Sequence, residues 1–126
     1  MFKENHAFSG FAVNDLEVAQ KFYGETLGLK CENGPQGLQL AIGSDASVFV
    51  YSKPDHVPAT YTILNFPVEN IDETVAELST LGVLFEQYNG MTDEKGIARG
   101  LARHMGPDIA WFKDPAGNIL SILQDH

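Results

Sequence analysis

The chain has little cysteine, little positive charge and no long apolar run. Its single cysteine, Cys31, rules out an intramolecular disulfide. Nothing near Cys31 in the sequence would lower its thiol pKa, which argues against a nucleophile. Eight Lys and Arg stand against 17 Asp and Glu, a formal charge of −9. That balance opposes a nucleic-acid partner, because phosphate binding depends on clustered Lys and Arg. It agrees with a neutral or cationic ligand, although an acidic surface also serves solubility. No stretch approaches the roughly 18 apolar residues of a membrane span, and the opening MFKENHAFSG lacks the apolar core of a signal peptide. The expectation is a cytoplasmic chain with no membrane partner.

What is present is a repeat. FAVNDLEVAQKFYGETLGLKCE, from Phe11 to Glu32, shares its layout with FPVENIDETVAELSTLGVLFEQ, from Phe66 to Gln87. Phe11 matches Phe66, Val13 matches Val68, Asp15 matches Asn70 and Leu16 matches Ile71. One deletion later, Leu27-Gly28 matches Leu81-Gly82. Self-similarity that runs through strand, cap, helix and terminating glycine argues for duplication. In the first copy a strand ends at Val13, and Asp15 is placed to cap the helix that follows. Leu16, Ala19, Phe22, Tyr23 and Leu27 recur at helical spacing, and Gly28 stops the helix. In the second copy Asn70 caps, Ile71, Val75, Leu78 and Leu81 form the apolar stripe, and Gly82 ends it.

Three strands are predicted after each helix. Leu29 to Glu32, Gly37 to Ile42 and Ala46 to Tyr51 follow the first, separated by NGPQG and GSD turns. Val83 to Tyr88, Ile109 to Lys113 and Ile119 to Leu123 follow the second. The layout predicts an α+β protein of two tandem βαβββ modules in one domain, residues 1–126. Module one spans 6–52, a linker with Pro54 and Pro58 spans 53–59, and module two spans 60–124. The polar insertion Asn89 to Gly106 exceeds the usual loop length of about 12 to 15 residues, so a glycine-hinged lid is expected there.

These residues resemble a known family. FAVNDLEVAQKFYGETLGL is similar to the opening strand and helix of the vicinal-oxygen-chelate superfamily, which includes glyoxalase I, extradiol dioxygenases and bleomycin-resistance proteins. WFKDPAGNILSIL, from Trp111 to Leu123, resembles its closing hairpin, with D-P-x-G-N as the most specific part. The resemblance covers Ala7 to Leu123. It implies that the modules curl into a cupped mixed sheet around a ligand cleft, and that the protein is a homodimer.

The resemblance also implies where metal ligands would lie. The first-strand His position falls on Phe8, and the fifth-strand position falls on Ile63. The last-strand Glu position falls on Ser121, and the fourth-strand position lies within Val48 to Tyr51. None offers a His, Asp or Glu, whereas a catalytic site of this kind needs about three such ligands. No metal and no cofactor are therefore expected at the family positions. An unconventional site from His6, Glu86 and His104 is conceivable, although it shares no family spacing.

Without a metal, proton transfer would fall to His104, Glu86 or Tyr51, with Arg99 and Arg103 holding an oxygen of the substrate. Binding alone asks for an apolar, aromatic lining with few polar groups. Phe8, Phe49, Tyr51, Tyr61, Ile63, Trp111 and Phe112 could supply it, about half of them facing inward by strand alternation. Asn65, Ser121, Arg103 and His104 would add polar contacts. The expected function is metal-independent binding of an amphipathic or cationic small molecule, resembling bleomycin-resistance proteins. The alternative is a glyoxalase-like lyase, isomerase or dioxygenase whose metal sits on non-family residues. Catalytic residues are not identified by either pattern.

Overall fold

The two sequence repeats become two compact units, Met1–Val57 and Pro58–His126, in a computed structural model that describes residues 1–126. Unit one runs β1 (Ser9–Val13), α1 (Leu16–Gln20) continuing as a π-helical turn (Lys21–Thr26), β2 (Cys31–Gly34), β3 (Gly37–Ile42) and β4 (Ala46–Ser52). Unit two runs β5 (Thr62–Pro67), α2 (Ile71–Thr80), β6 (Ile97–Arg99), a 3-10 turn (Leu101–Arg103), β7 (Asp108–Lys113) and β8 (Ile119–Gln124). Each unit forms one four-stranded sheet, ordered β1-β4-β3-β2 and β5-β8-β7-β6. β1 pairs parallel with β4 and β5 parallel with β8, and all other pairs are antiparallel. The fold is α+β, built from two similar βαβββ modules.

Both helices start at the predicted residues and for the predicted reason. The Asp15 carboxylate accepts from the Glu17 and Val18 amides at 3.1 and 3.2 Å. The Asn70 side chain accepts from the Glu73 amide at 3.1 Å. A second acceptor, Gln124 Oε1, takes the Ile71 amide at 2.9 Å. Satisfying amides that have no partner within the helix is what a cap contributes. α2 stays α-helical through Thr80, whereas the first helix widens at Lys21.

Each helix packs on one face of its own sheet. In unit one that face carries Val13, Leu38, Leu40, Val48 and Val50, with Tyr23 fully buried and edge-on to both Phe11 and Phe22. In unit two Ile97, Ala110, Phe112, Leu120 and Ile122 fill the same role beneath Ile71 and Val75. Phe112, expected among the ligand-lining aromatics, is buried here against Phe85, their ring centres 5.6 Å apart.

The sixth strand lies later than predicted. Val83 to Tyr88 makes only an isolated bridge, Phe85 to Phe112, and a 2.8 Å bond from the Glu86 amide to the Trp111 carbonyl. The strand that pairs with β7 is Ile97–Arg99, inside the segment expected to be a lid. Asp93 explains the difference. Its carboxylate accepts from the Lys95 and Ile97 amides, both at 2.9 Å, and closes a tight loop. Gly96 sits in that loop with φ +87, where a Cβ would meet Phe85 Cβ at 2.9 Å. Ile97 is then fully buried. Arg99 pins the segment further, with a two-pronged contact to Asp72 at 2.8 and 3.0 Å, one to Asp93 at 3.0 Å and a longer one to Asp108 at 3.7 Å. The insertion is thus anchored to helix and sheet at its middle.

Candidate functional site

The faces of the two sheets turned away from the helices carry several of the residues nominated from the sequence. Because paired residues share a face, the register reads out a row across each sheet. In unit one the row is Gly10, Phe49, Gln39 and Glu32. In unit two it is Asn65, Ser121 and Trp111. Phe11 pairs with Val50, and its repeat counterpart Phe66 pairs with Ile122. Gly10 therefore corresponds to Asn65, Phe49 to Ser121 and Gln39 to Trp111.

Unit one presents aromatic rings. Phe49 and Tyr51 are stacked, with centres 6.2 Å apart and planes 18° apart. Tyr51 is exposed, and Phe8, just ahead of β1, is 69% exposed. Gly10 keeps the strip beside Phe49 free of any side chain, and a Cβ there would lie 3.2 Å from the Phe49 carbonyl oxygen. Further along the sheet, Gln39 donates to the Ser47 hydroxyl at 3.0 Å. Lys30, Glu32, Gln39, Ala41 and Ser47 together line a shallow hollow of about 160 Å³.

Unit two presents hydrogen-bonding groups first and rings second. The fully buried Ser121 hydroxyl donates to the Asn65 side-chain oxygen at 2.5 Å. That bond satisfies the serine and leaves the amide nitrogen of the exposed Asn65 available. Trp111 is half-buried and meets Tyr88 edge-on at 5.5 Å. Ile63 is the extra residue where β5 shifts register against β8 between Thr62 and Leu64.

Arg103 and His104 are exposed on the 3-10 turn and its cap, His104 in the left-handed region at φ 53. Arg99 is engaged by Asp72 and Asp93 through three hydrogen bonds, with Asp108 at 3.7 Å, and serves the fold. The Glu86 carboxylate faces Lys113 at 3.5 Å. Tyr61 is exposed just before β5, and His6 is exposed ahead of β1. No three His, Cys, Asp or Glu side chains lie together so as to hold a metal ion. The register places Phe49 as the fourth-strand counterpart of Ser121. The positions that the resemblance assigns to metal ligands, Phe8, Ile63, Ser121 and one within Val48 to Tyr51, where Phe49 shares the face of Ser121, offer no His, Asp or Glu, the side chains a divalent ion would require. Burial pushes the Cys31 thiol up, away from the thiolate needed for attack.

Lys30, Glu32, Gln39 and Ser47 escaped the sequence reading. Alternation in GLQLAI and ASVFVYS marks Gln39 and Ser47 as facing away from the core. Which strands lie side by side, and hence which polar residues meet, is not written in either segment.

Solved structures match the chain over nearly its whole length. A member of the glyoxalase/bleomycin resistance protein/dioxygenase superfamily from Sphaerobacter thermophilus covers 95% of this chain and 98% of its own, at 21% identity and a TM-score of 0.67. The chain has the vicinal-oxygen-chelate fold. Lactoylglutathione lyase from Agrobacterium tumefaciens matches at 17% identity, covering 97% and 95%, with a TM-score of 0.65. TnmS3, an antibiotic-binding protein from Streptomyces sp. CB03234, matches at 25% identity, covering 98% of each chain, with a TM-score of 0.66. No protein-family model matches the sequence, and no curated protein matches it significantly. The vicinal-oxygen-chelate fold thus accommodates a lyase and a binding protein, so function has to be argued from side chains. No helix of the chain is long and apolar enough to cross a membrane.

Proposed function

We propose that this protein binds an amphipathic or cationic small molecule on its open sheet faces without a metal, as a cytoplasmic homodimer. One observation carries the reading. At the positions that the resemblance assigns to metal ligands this chain has Phe8, Ile63, Ser121 and the stretch Val48 to Tyr51, in which Phe49 stacks on the exposed Tyr51. Rings and aliphatic groups with a few fixed hydrogen-bonding groups are the usual lining of a ligand site. Exposed aromatic surface costs solvation free energy until something covers it. Glu32 at the end of the same row suits a cationic group. An antibiotic-binding protein among the structures of this fold makes such a role chemically reasonable.

The test is a titration of isotopically labelled protein with a panel of neutral aromatic compounds and aromatic amines, in buffer containing a chelator. Saturable amide shifts around Phe49 and Tyr51, lost in Phe49→Leu, are expected. Binding that appears only after manganese or zinc is added would overturn the metal-free reading. A panel that leaves every amide unmoved would overturn binding itself.

A further inference from the structure

We propose that the hollow on the open face of unit one recognises a zwitterionic head group, so that the ligand is an aromatic molecule carrying an ammonium and a carboxylate, as an aromatic α-amino acid or a peptide end does. This rests on the small-molecule reading above and specifies its chemistry.

Two opposite charges stand on one face of the β2 end of the sheet. Glu32 pairs with Gln39, and Lys30 lies opposite Ala41, whose amide donates to the Lys30 carbonyl at 2.9 Å. Lys30 and Glu32 are two residues apart on an extended chain, roughly 6.6 Å, and both line the hollow of about 160 Å³. Each side chain is exposed, and neither forms an ion pair with the other or with a third residue. Every other arginine or lysine that lies near a carboxylate in unit two is paired, as Arg99, Lys95 and Lys113 are. The Lys30 and Glu32 charges are therefore both free to meet a ligand.

Between these charges and the rings lie neutral hydrogen-bonding groups. Gln39 and Ser47 are joined at 3.0 Å, which fixes the amide plane and leaves the amide oxygen as an acceptor. Phe49, adjacent to Gln39 in the register, begins the aromatic stack. Across the strands the order is ring, amide, carboxylate, with neighbours about 4.8 Å apart. A ligand with a single charge would satisfy only one side of the hollow and bring the other charge close without compensation. A head group bearing both charges satisfies Glu32 through its ammonium and Lys30 through its carboxylate, while its ring extends over Phe49. Module two has no such free pair of charges: Glu86 lies opposite Trp111 as Glu32 lies opposite Gln39, but Lys113 engages it at 3.5 Å, and Leu84 stands where Lys30 does.

The experiment titrates labelled protein with L-phenylalanine, 2-phenylethylamine and 3-phenylpropionate, following backbone amides. L-phenylalanine should shift Glu32, Gln39 and Ser47 saturably. Losing either charge from the probe should weaken binding roughly threefold to fivefold, the size of one exposed ion pair. Glu32→Gln should erase the preference over 3-phenylpropionate, and Lys30→Gln the preference over 2-phenylethylamine. Both substitutions are at exposed positions and leave the core intact. Equal affinity for the three probes, or preferences that survive both substitutions, overturns the proposal. Probes that bind only around Asn65 and Trp111 overturn it too and leave the small-molecule reading standing. If neither these probes nor the neutral aromatic panel shifts any amide, both readings fall.

Discussion

The two open faces differ more than the two folds that carry them. In module one the row begins with a bare glycine, passes a stacked ring and ends in an amide and a carboxylate. In module two the row begins with an amide and a buried hydroxyl, passes an indole and reaches Glu86, which Lys113 engages. The ring and the neutral hydrogen-bonding group have exchanged places between copies, and the terminal glutamate is free in one and paired in the other. The helix-facing sides, by contrast, are apolar in both. Duplication of a βαβββ unit is held by its core, where each position must stay apolar to bury surface. Open-face positions carry no such obligation, so they are free to diverge towards different contacts.

That comparison is broken most severely from the core side. Phe112 and Leu40 occupy equivalent register positions and are both fully buried. Phe112→Ala should cost about 4 kcal/mol and Leu40→Ala about 3 kcal/mol, the larger side chain leaving the larger cavity. Urea unfolding of the two variants checks the order.

The anchored insertion is the next difference, since module one has nothing like it. Arg99→Ala leaves Asp72, Asp93 and Asp108 without their shared cation. Because Arg99 and Asp72 are partly solvated, the expected loss is about 1–2 kcal/mol and not that of a buried pair. The hydrogen bond from Arg99 holds the Asp72 carboxyl at about 2, below its ordinary value. A depressed carboxylate stabilises the fold above its unfolded pKa, and that contribution disappears as pH falls through the folded value. The gap between wild type and Arg99→Ala should therefore be full at pH 6 and narrow between about pH 4 and pH 2. Urea midpoints across that range measure it, and a gap that does not change with pH would remove Asp72 from the account.

Exchanging the first residues of the two rows tests the open faces directly. Gly10→Asn places a Cβ 3.2 Å from the Phe49 carbonyl and should cost about 1–2 kcal/mol. Asn65→Gly loses one hydrogen bond in partly solvated surroundings and adds a strand glycine, roughly 1 kcal/mol. Thermal unfolding compares the two. A tolerated Gly10→Asn would mean that the bare strip is not sterically required.

The helix caps give the smallest contrast. Asp15→Ala should cost about 1 kcal/mol, because the Asp15 carboxylate serves two amides. Asn70→Ala should cost roughly half of that, since Gln124 still holds the Ile71 amide. Equilibrium unfolding should separate the two, and equal costs would show that Gln124 does not share the capping.

Much of the fold is legible in the sequence. Asp15, Asn70, Gly28 and Gly82 mark helix ends because capping is local, settled within three or four residues of chain. The strands after the first helix, and the two flanking D-P-A-G-N, are legible because alternation against a core leaves a period of two. The sixth strand was not. Val83 to Tyr88 has as good a strand pattern as Ile97 to Arg99, and the choice depends on Asp93 closing its loop and on Arg99 finding Asp72 and Asp108, the latter contacts 27 and 9 residues away. For the candidate site, Phe8, Phe49, Tyr51, Asn65, Ser121 and Trp111 were named from the sequence, and the register puts Phe49 with Tyr51 and Ser121 with Asn65. Phe112 was assigned to the lining, and the helix-facing core claimed it.

By itself, then, the sequence determined the duplicated βαβββ order, the capped helices, the acidic balance and the lack of His, Asp or Glu at the aligned ligand positions. These depend on residue identity and short-range spacing. The tertiary structure decided which strand closes the second sheet, which arginine is spent on structure, and that Lys30, Glu32, Gln39 and Ser47 share one hollow. Each of these depends on which strands lie side by side, a property of long-range packing that no local pattern encodes.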